Sequence, residues 1–132
     1  MLFWDGRATE VFTVNIVDYS LGPAMNLTSG TYPDDVDECE VAGLTVREAA
    51  AIDAPIVAEA PASLECRLLQ IVDIGGAPMG SSVVFGEIVA FNVEERILDG
   101  TRVDQAGLDP IGRHVGSLYS RGGELYEMTR PD

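Results

Sequence analysis

VNIVDYSLGPAMNLTSGTYPDDVDECEVAGL, residues 14–44, is the stretch whose reading decides the fold. It runs from a strand into a short helix, then a turn, then an acidic loop. The strand extends back to Glu10 and covers residues 10–17. Phe12, Val14 and Ile16 point one way, and Val11, Thr13 and Val17 the other. Apolar residues on both faces predict an interior strand. Ser20 is placed to cap the helix that follows. Leu21, Ala24, Met25 and Thr28 repeat at helical spacing, and Gly30 is placed to end it. Tyr32-Pro33-Asp34-Asp35 is turn chemistry.

Outward from this stretch, Thr45-Val46-Arg47-Glu48 has the pattern of a capping box, which predicts a short helix ending near Ile52. Pro55 forces its predecessor toward extended geometry. Residues 63–74 and 82–93 are rich in β-formers. Gly75, Gly76, Pro78 and Gly80 punctuate the loop between them, so a long hairpin is expected. Its second strand is apolar on both faces: Val83, Phe85, Val89, Phe91 and Val93 line one, Val84, Ile88 and Ala90 the other. One face suits a barrel interior, and the other needs a helix or a partner subunit as cover. Arg67 is expected to pair with Glu87 across the hairpin. The tail offers Asp104 as the N-cap of one helical turn, the loop IGRHVGSLYS, and an edge strand at residues 125–128.

The chain has 132 residues, of which 46% are apolar. That length and composition predict one domain with its own core. It carries 22 acidic residues against 8 Arg and no Lys, for a net charge of -14. Such a surface repels phosphodiester backbones and anionic lipid, so neither nucleic acid nor membrane is expected as a partner. Cys39 and Cys66 have no CxxC or Cys/His spacing, so no metal site is predicted. The default is two buried or half-buried thiols in a reducing, cytoplasmic compartment. Asp34, Asp35, Asp37, Glu38 and Glu40 lack the spacing of an EF-hand and read as a solvated loop. GGAPMGSS reads as a hairpin loop, not a phosphate cradle.

Five segments in this order resemble the flavin-reductase-like, FMN-binding split-barrel family. They are VNIVDYSLGPAMNLTSG (14–30), DDVDECEVAGLT (34–45), APASLECRLLQIVDIG (60–75), VVFGEIVAFNV (83–93) and IGRHVGSLYSR (111–121). The resemblance implies a mainly β, Greek-key split-barrel portion with two or three short helices. It implies a homodimer with FMN at the interface, and NADH or NADPH as a co-substrate passing reducing equivalents through the flavin. In the family, the strand equivalent to residues 10–17 follows further strands with a basic segment that contacts the flavin phosphate. Residues 1–132 therefore resemble the C-terminal two-thirds of such a domain. From that match and the absence of Lys, weak FMN affinity is expected. The alternative is a truncated, non-catalytic β-module that dimerises and has lost flavin.

The resemblance nominates Asn26, Thr28, Ser29 and Arg113 as cofactor-binding residues, with His114 and Tyr119 near the substrate. Each has a plainer reading. Asn26, Thr28 and Ser29 can simply end a helix. Arg113 can pair with one of the many carboxylates. His114 can be a surface histidine, and Tyr119 can pack with a polar tip. Some relatives carry a nicotinamide-contacting His ahead of the strand resembling residues 83–93. Here Gly80, Ser81 and Ser82 stand there, and no catalytic residue is assigned.

Overall fold

A computed structural model of the chain describes residues 2–3, 9–33, 35–76 and 80–131. Its centre is the expected hairpin, β5 (Ala62–Ile74) and β6 (Ser81–Val93). Earlier strands are β1 (Leu2–Phe3), β2 (Val11–Asn15), β3 (Val46–Glu48) and β4 (Pro55–Val57). An antiparallel sheet runs in the order β1-β2-β5-β6, which makes β2 interior as its two-faced pattern predicts. The β5–β6 register slips twice, leaving Leu69 and Val89 without a direct partner. Such bulges raise the local twist. Phe12 lies across β6 where Gly86 leaves room. A Cβ on Gly86 would come within 2.3 Å of the Phe12 ring. Of the loop between the strands, Pro78 lies outside the described residues, and Gly75 takes the left-handed φ of 78° that such a turn requires.

The expected helix at residues 45–52 is absent. Residues 46–48 form β3 instead, antiparallel to β4. Two carboxylates from elsewhere in the chain override the local pattern. Glu59 accepts the Thr45 N–H at 2.9 and 3.1 Å, so Thr45 is not a helix cap. Glu65, fully buried on β5, accepts the N–H groups of Ala50 at 2.8 Å and Ala51 at 2.6 Å. Its carboxylate also accepts from Asn92 Nδ2 at 2.8 Å. Burial pushes the Glu65 carboxyl up, but these donors, with the backbone of Ile52, outweigh it and hold the group below its usual range. Beside it, Thr13, Asn15 and Ser63 form a buried polar network. Asn15 Oδ1 accepts from Ser63 Oγ at 2.8 Å and from Val57 N at 3.1 Å. Thr13 Oγ1 donates to Pro55 O at 2.6 Å. These bonds tie β2, β4 and β5 together, and the apolar core packs around them. Ile56, Val57 and Ile97 are each at most 1% exposed, worth about 1.5–3 kcal/mol apiece.

Helix α1 (Gly22–Thr28) forms as its spacing predicts, but Ser20 does not cap it. Asp18 Oδ1 accepts both the Leu21 N–H at 2.9 Å and the Ser20 hydroxyl at 2.8 Å. Pro23 in the first turn needs no cap for its nitrogen. At the other end Tyr32 folds back and its hydroxyl donates to Leu27 O at 2.8 Å. A turn follows, with the Val36 N–H on Pro33 O; Asp34 lies outside the described residues. The acidic loop becomes a short α2 (Glu38–Val41) capped by the Asp37 carboxylate. Cys39 and Cys66 are both free and buried.

The remaining elements are β7 (Leu98–Asp99), β8 (Arg102–Val103), α3 (Gln105–Leu108), β9 (Ile111–Arg113) and β10 (Tyr119–Arg121). Asp104 caps α3 as expected. The edge strand expected at residues 125–128 is not formed, because among the described residues nothing pairs with that segment; the last strand is β10, on β9. Arg67 and Glu87 do face each other in register. No ion pair joins them among the described residues; both side chains are exposed, where such a pair contributes little. None of the described β6 residues is fully buried; Val93 packs against the core, but much of the strand's apolar surface stays open. Phe85 and Ile88 are nearly half exposed and Phe91 is 68% exposed. Among the described residues, no helix is long and apolar enough to cross a membrane.

Candidate functional site

The β9–β10 hairpin closes back onto the entrance of α1. Ile111 N–H donates to Val17 O at 3.0 Å, Tyr19 N–H to Asp109 O at 3.0 Å, and Asp18 bridges to Pro110. Between the two elements lies a cleft of about 840 Å³. From α1 and its entrance come Tyr19, Ser20, Gly22, Pro23, Met25, Asn26 and Ser29. From the hairpin come Ile111, Arg113, Gly116, Ser117, Tyr119, Ser120 and Arg121.

Four of the six nominated residues meet here: Asn26 and Ser29 on one wall, Arg113 and Tyr119 on the other. Ser29 also terminates the helix, its hydroxyl donating to Asn26 O at 2.7 Å. The two others lie outside the lining. Thr28 turns its hydroxyl onto Met25 O at 2.8 Å. His114 is exposed, and its N–H donates to Leu118 O at 2.9 Å to close the turn between β9 and β10.

Among the described residues the lining contains no acidic one, although the chain carries 22, and it contains two of the chain's 8 Arg. The two arginines differ. Arg121 pairs with Asp109, Nε at 2.9 and 2.8 Å from the two carboxylate oxygens and Nη2 at 2.6 Å from one of them. Hydrogen bonds from this guanidinium hold the Asp109 carboxyl below the usual carboxylate range. Arg113 has no carboxylate partner among the described residues, whose ion pairs are Arg96 with Asp18 and Glu94, and Arg121 with Asp109. The cleft is therefore a cationic, donor-rich window in an acidic surface, which favours an anionic ligand. Apolar Pro23, Met25 and Ile111 supply the rest of the wall. Tyr19, Arg121 and Asp109 escape a reading of the residues alone. Their grouping depends on the hairpin folding back: Tyr19 falls in the segment at 14–30 and Arg121 in that at 111–121, while Asp109 falls in none of the five.

The model of the family described as "Flavin reductase like domain" matches residues 7–111. A Deinococcus radiodurans protein is 34% identical over 123 residues, covering 90% of this chain and 52% of that protein. Nitrilotriacetate monooxygenase component B from Bacillus cereus superposes with a TM-score of 0.83 at 33% identity, over 91% of this chain and 60% of its own. A Shewanella frigidimarina protein with a split barrel domain superposes with a TM-score of 0.80 at 24% identity, over 99% of this chain and 69% of its own, and shares the fold. The chain spans about half to three-fifths of the length of the curated relatives it matches.

Proposed function

The chain belongs to the flavin reductase like domain family, and from that premise we propose that it binds FMN in the cleft between α1 and the β9–β10 hairpin. The observation that carries this reading is that, among the described residues, the lining has no acidic side chain and the Arg113 guanidinium has no carboxylate partner. The donor set fits the group. A cleft of about 840 Å³ lies in the range of small-molecule sites. The FMN phosphate, near -2 at neutral pH, needs a cation, and Arg113 offers one. Asn26 supplies an amide and Ser29 a hydroxyl, while Pro23, Met25 and Ile111 keep water from the ring. Tyr119 lines the same space beside Arg113.

Bound flavin accepts and returns reducing equivalents, with NADH or NADPH as the donor in this reading, and the polypeptide orients it and excludes water. Two free, buried thiols suit a reducing cytoplasm. We also propose a homodimer, since Phe85, Ile88 and Phe91 leave an apolar strand uncovered on an otherwise acidic chain.

The test is a fluorescence titration of FMN into the purified chain and its Arg113→Ala variant. Saturable binding is expected, weakened about 10-fold or more in the variant, the worth of one charge-assisted hydrogen bond. A colourless protein that leaves FMN fluorescence unchanged would refute the reading and leave the non-catalytic dimerising module.

A further inference from the structure

The cleft holds an aromatic side chain whose orientation is fixed by its neighbours. Tyr19 is 57% exposed. An exposed tyrosine ordinarily samples several rotamers. Here the guanidinium carbon of Arg121 sits 4.0 Å from the centre of its ring and covers one face. Arg121 is itself held by both carboxylate oxygens of Asp109. The Asp109 carbonyl in turn accepts the Tyr19 N–H at 3.0 Å. The three residues thus close a circuit: backbone bond, ion pair, stack. Asp109 keeps its place in that circuit at a φ of 45°, in the left-handed region that non-glycine residues rarely adopt.

A gain in stability does not account for this arrangement. The Arg121 side chain is 59% exposed, and ion pairs in water contribute little to folding. What the circuit does deliver is position. It sets the plane of the Tyr19 ring with one face under Arg121, while the residue stays 57% exposed in the lining of the cleft. Planar ligand rings gain affinity by stacking on such a ring, and more so when it is fixed before they arrive. Tyr119, the other aromatic residue of the lining, has no cation against its ring among the described residues.

We propose that Tyr19 is the wall on which the planar ring of the bound flavin stacks, and that Asp109 and Arg121 are positioning residues that hold this wall. The proposal rests on the reading of the cleft as a flavin site. It assigns a role to three residues outside the nominated set.

FMN titrated into the whole chain tests it by affinity and by the brightness of the bound flavin. An electron-rich phenol stacked on the ring quenches flavin emission; a phenyl ring stacks equally well but quenches poorly. Tyr19→Phe is therefore expected to bind FMN within a few-fold of the parent and to leave the bound flavin brighter. Tyr19→Leu should bind about 10-fold more weakly. Arg121→Gln should shift affinity and quenching in the same direction by less, with little change in melting temperature. Parent-like affinity and quenching in Tyr19→Leu would overturn the proposal. If that variant does not fold, unchanged quenching in Tyr19→Phe overturns it equally. Failure of the parent chain to bind FMN would instead remove the flavin reading and this proposal together, so the two failures are separable.

Discussion

Replacing Glu65 should cost more stability than almost any other single change. Its carboxylate lies fully buried and accepts three hydrogen bonds, from Ala50 N, Ala51 N and Asn92 Nδ2. Bonds to a charged group contribute roughly 1.5–3 kcal/mol each and do not add in full when they share one acceptor. Glu65→Ala also strands two backbone donors, at about 1–3 kcal/mol apiece if water cannot reach them. A loss of about 3–5 kcal/mol is expected, against a total of roughly 5–15 kcal/mol for a domain of this size. Glu65→Gln should lose about 2–4 kcal/mol, since the amide keeps one acceptor and turns its NH2 toward a backbone N–H. The pH dependence has a definite sign. The folded-state pKa of Glu65 lies below its ordinary value of 4.5. Its stabilisation is therefore complete above that value and is lost as pH falls through the depressed folded pKa. Urea unfolding of parent and Glu65→Gln at neutral and at acid pH would show the gap closing in acid. A loss under about 1 kcal/mol at neutral pH, or a gap unchanged into acid, would refute the reasoning.

Gly86→Ala should lower the urea midpoint, by about 1–3 kcal/mol of overpacking, because the new Cβ meets the buried Phe12 ring; a parent-like midpoint would mean the ring has room to move. Cys39 and Cys66 should react with a thiol reagent only slowly in the native chain and rapidly in urea. Burial pushes both thiols up, and for Cys39 the nearby Asp37, Glu38 and Glu59 add to it. In light scattering the chain should run as a dimer or larger, and Phe91→Asp should shift it toward monomer; a parent that is monomeric at micromolar concentration would contradict the proposed dimer.

The hairpin of β5 and β6 was legible because stretches rich in β-formers flank a glycine-rich loop on both sides. Helix α1 was legible from its apolar spacing, and the cap of α3 from Asp104. Residues 45–52 were not. A capping-box pattern before three alanines favours helix locally, and only the distant acceptors Glu59 and Glu65 turn that segment into β3 and a pinned loop. At residues 125–128, β-forming side chains have no partner among the described residues, and propensity alone makes no strand. For the site, the resemblance brought Asn26, Ser29, Arg113 and Tyr119 forward, and the fold places all four around one cleft. Thr28 and His114 fall outside it because one turns back onto its helix and the other sits at a turn. The Tyr19–Arg121–Asp109 circuit joins residues far apart in the chain, and no local pattern announces it.

Whether flavin enters this cleft is tested most directly by backbone amide NMR of the chain during FMN addition. Shifts should concentrate at residues 19–29 and 111–121, the two walls of the cleft. Shifts confined elsewhere, for instance to the loop pinned by Glu65 at residues 50–52 or to the exposed face of β6, would contradict the account.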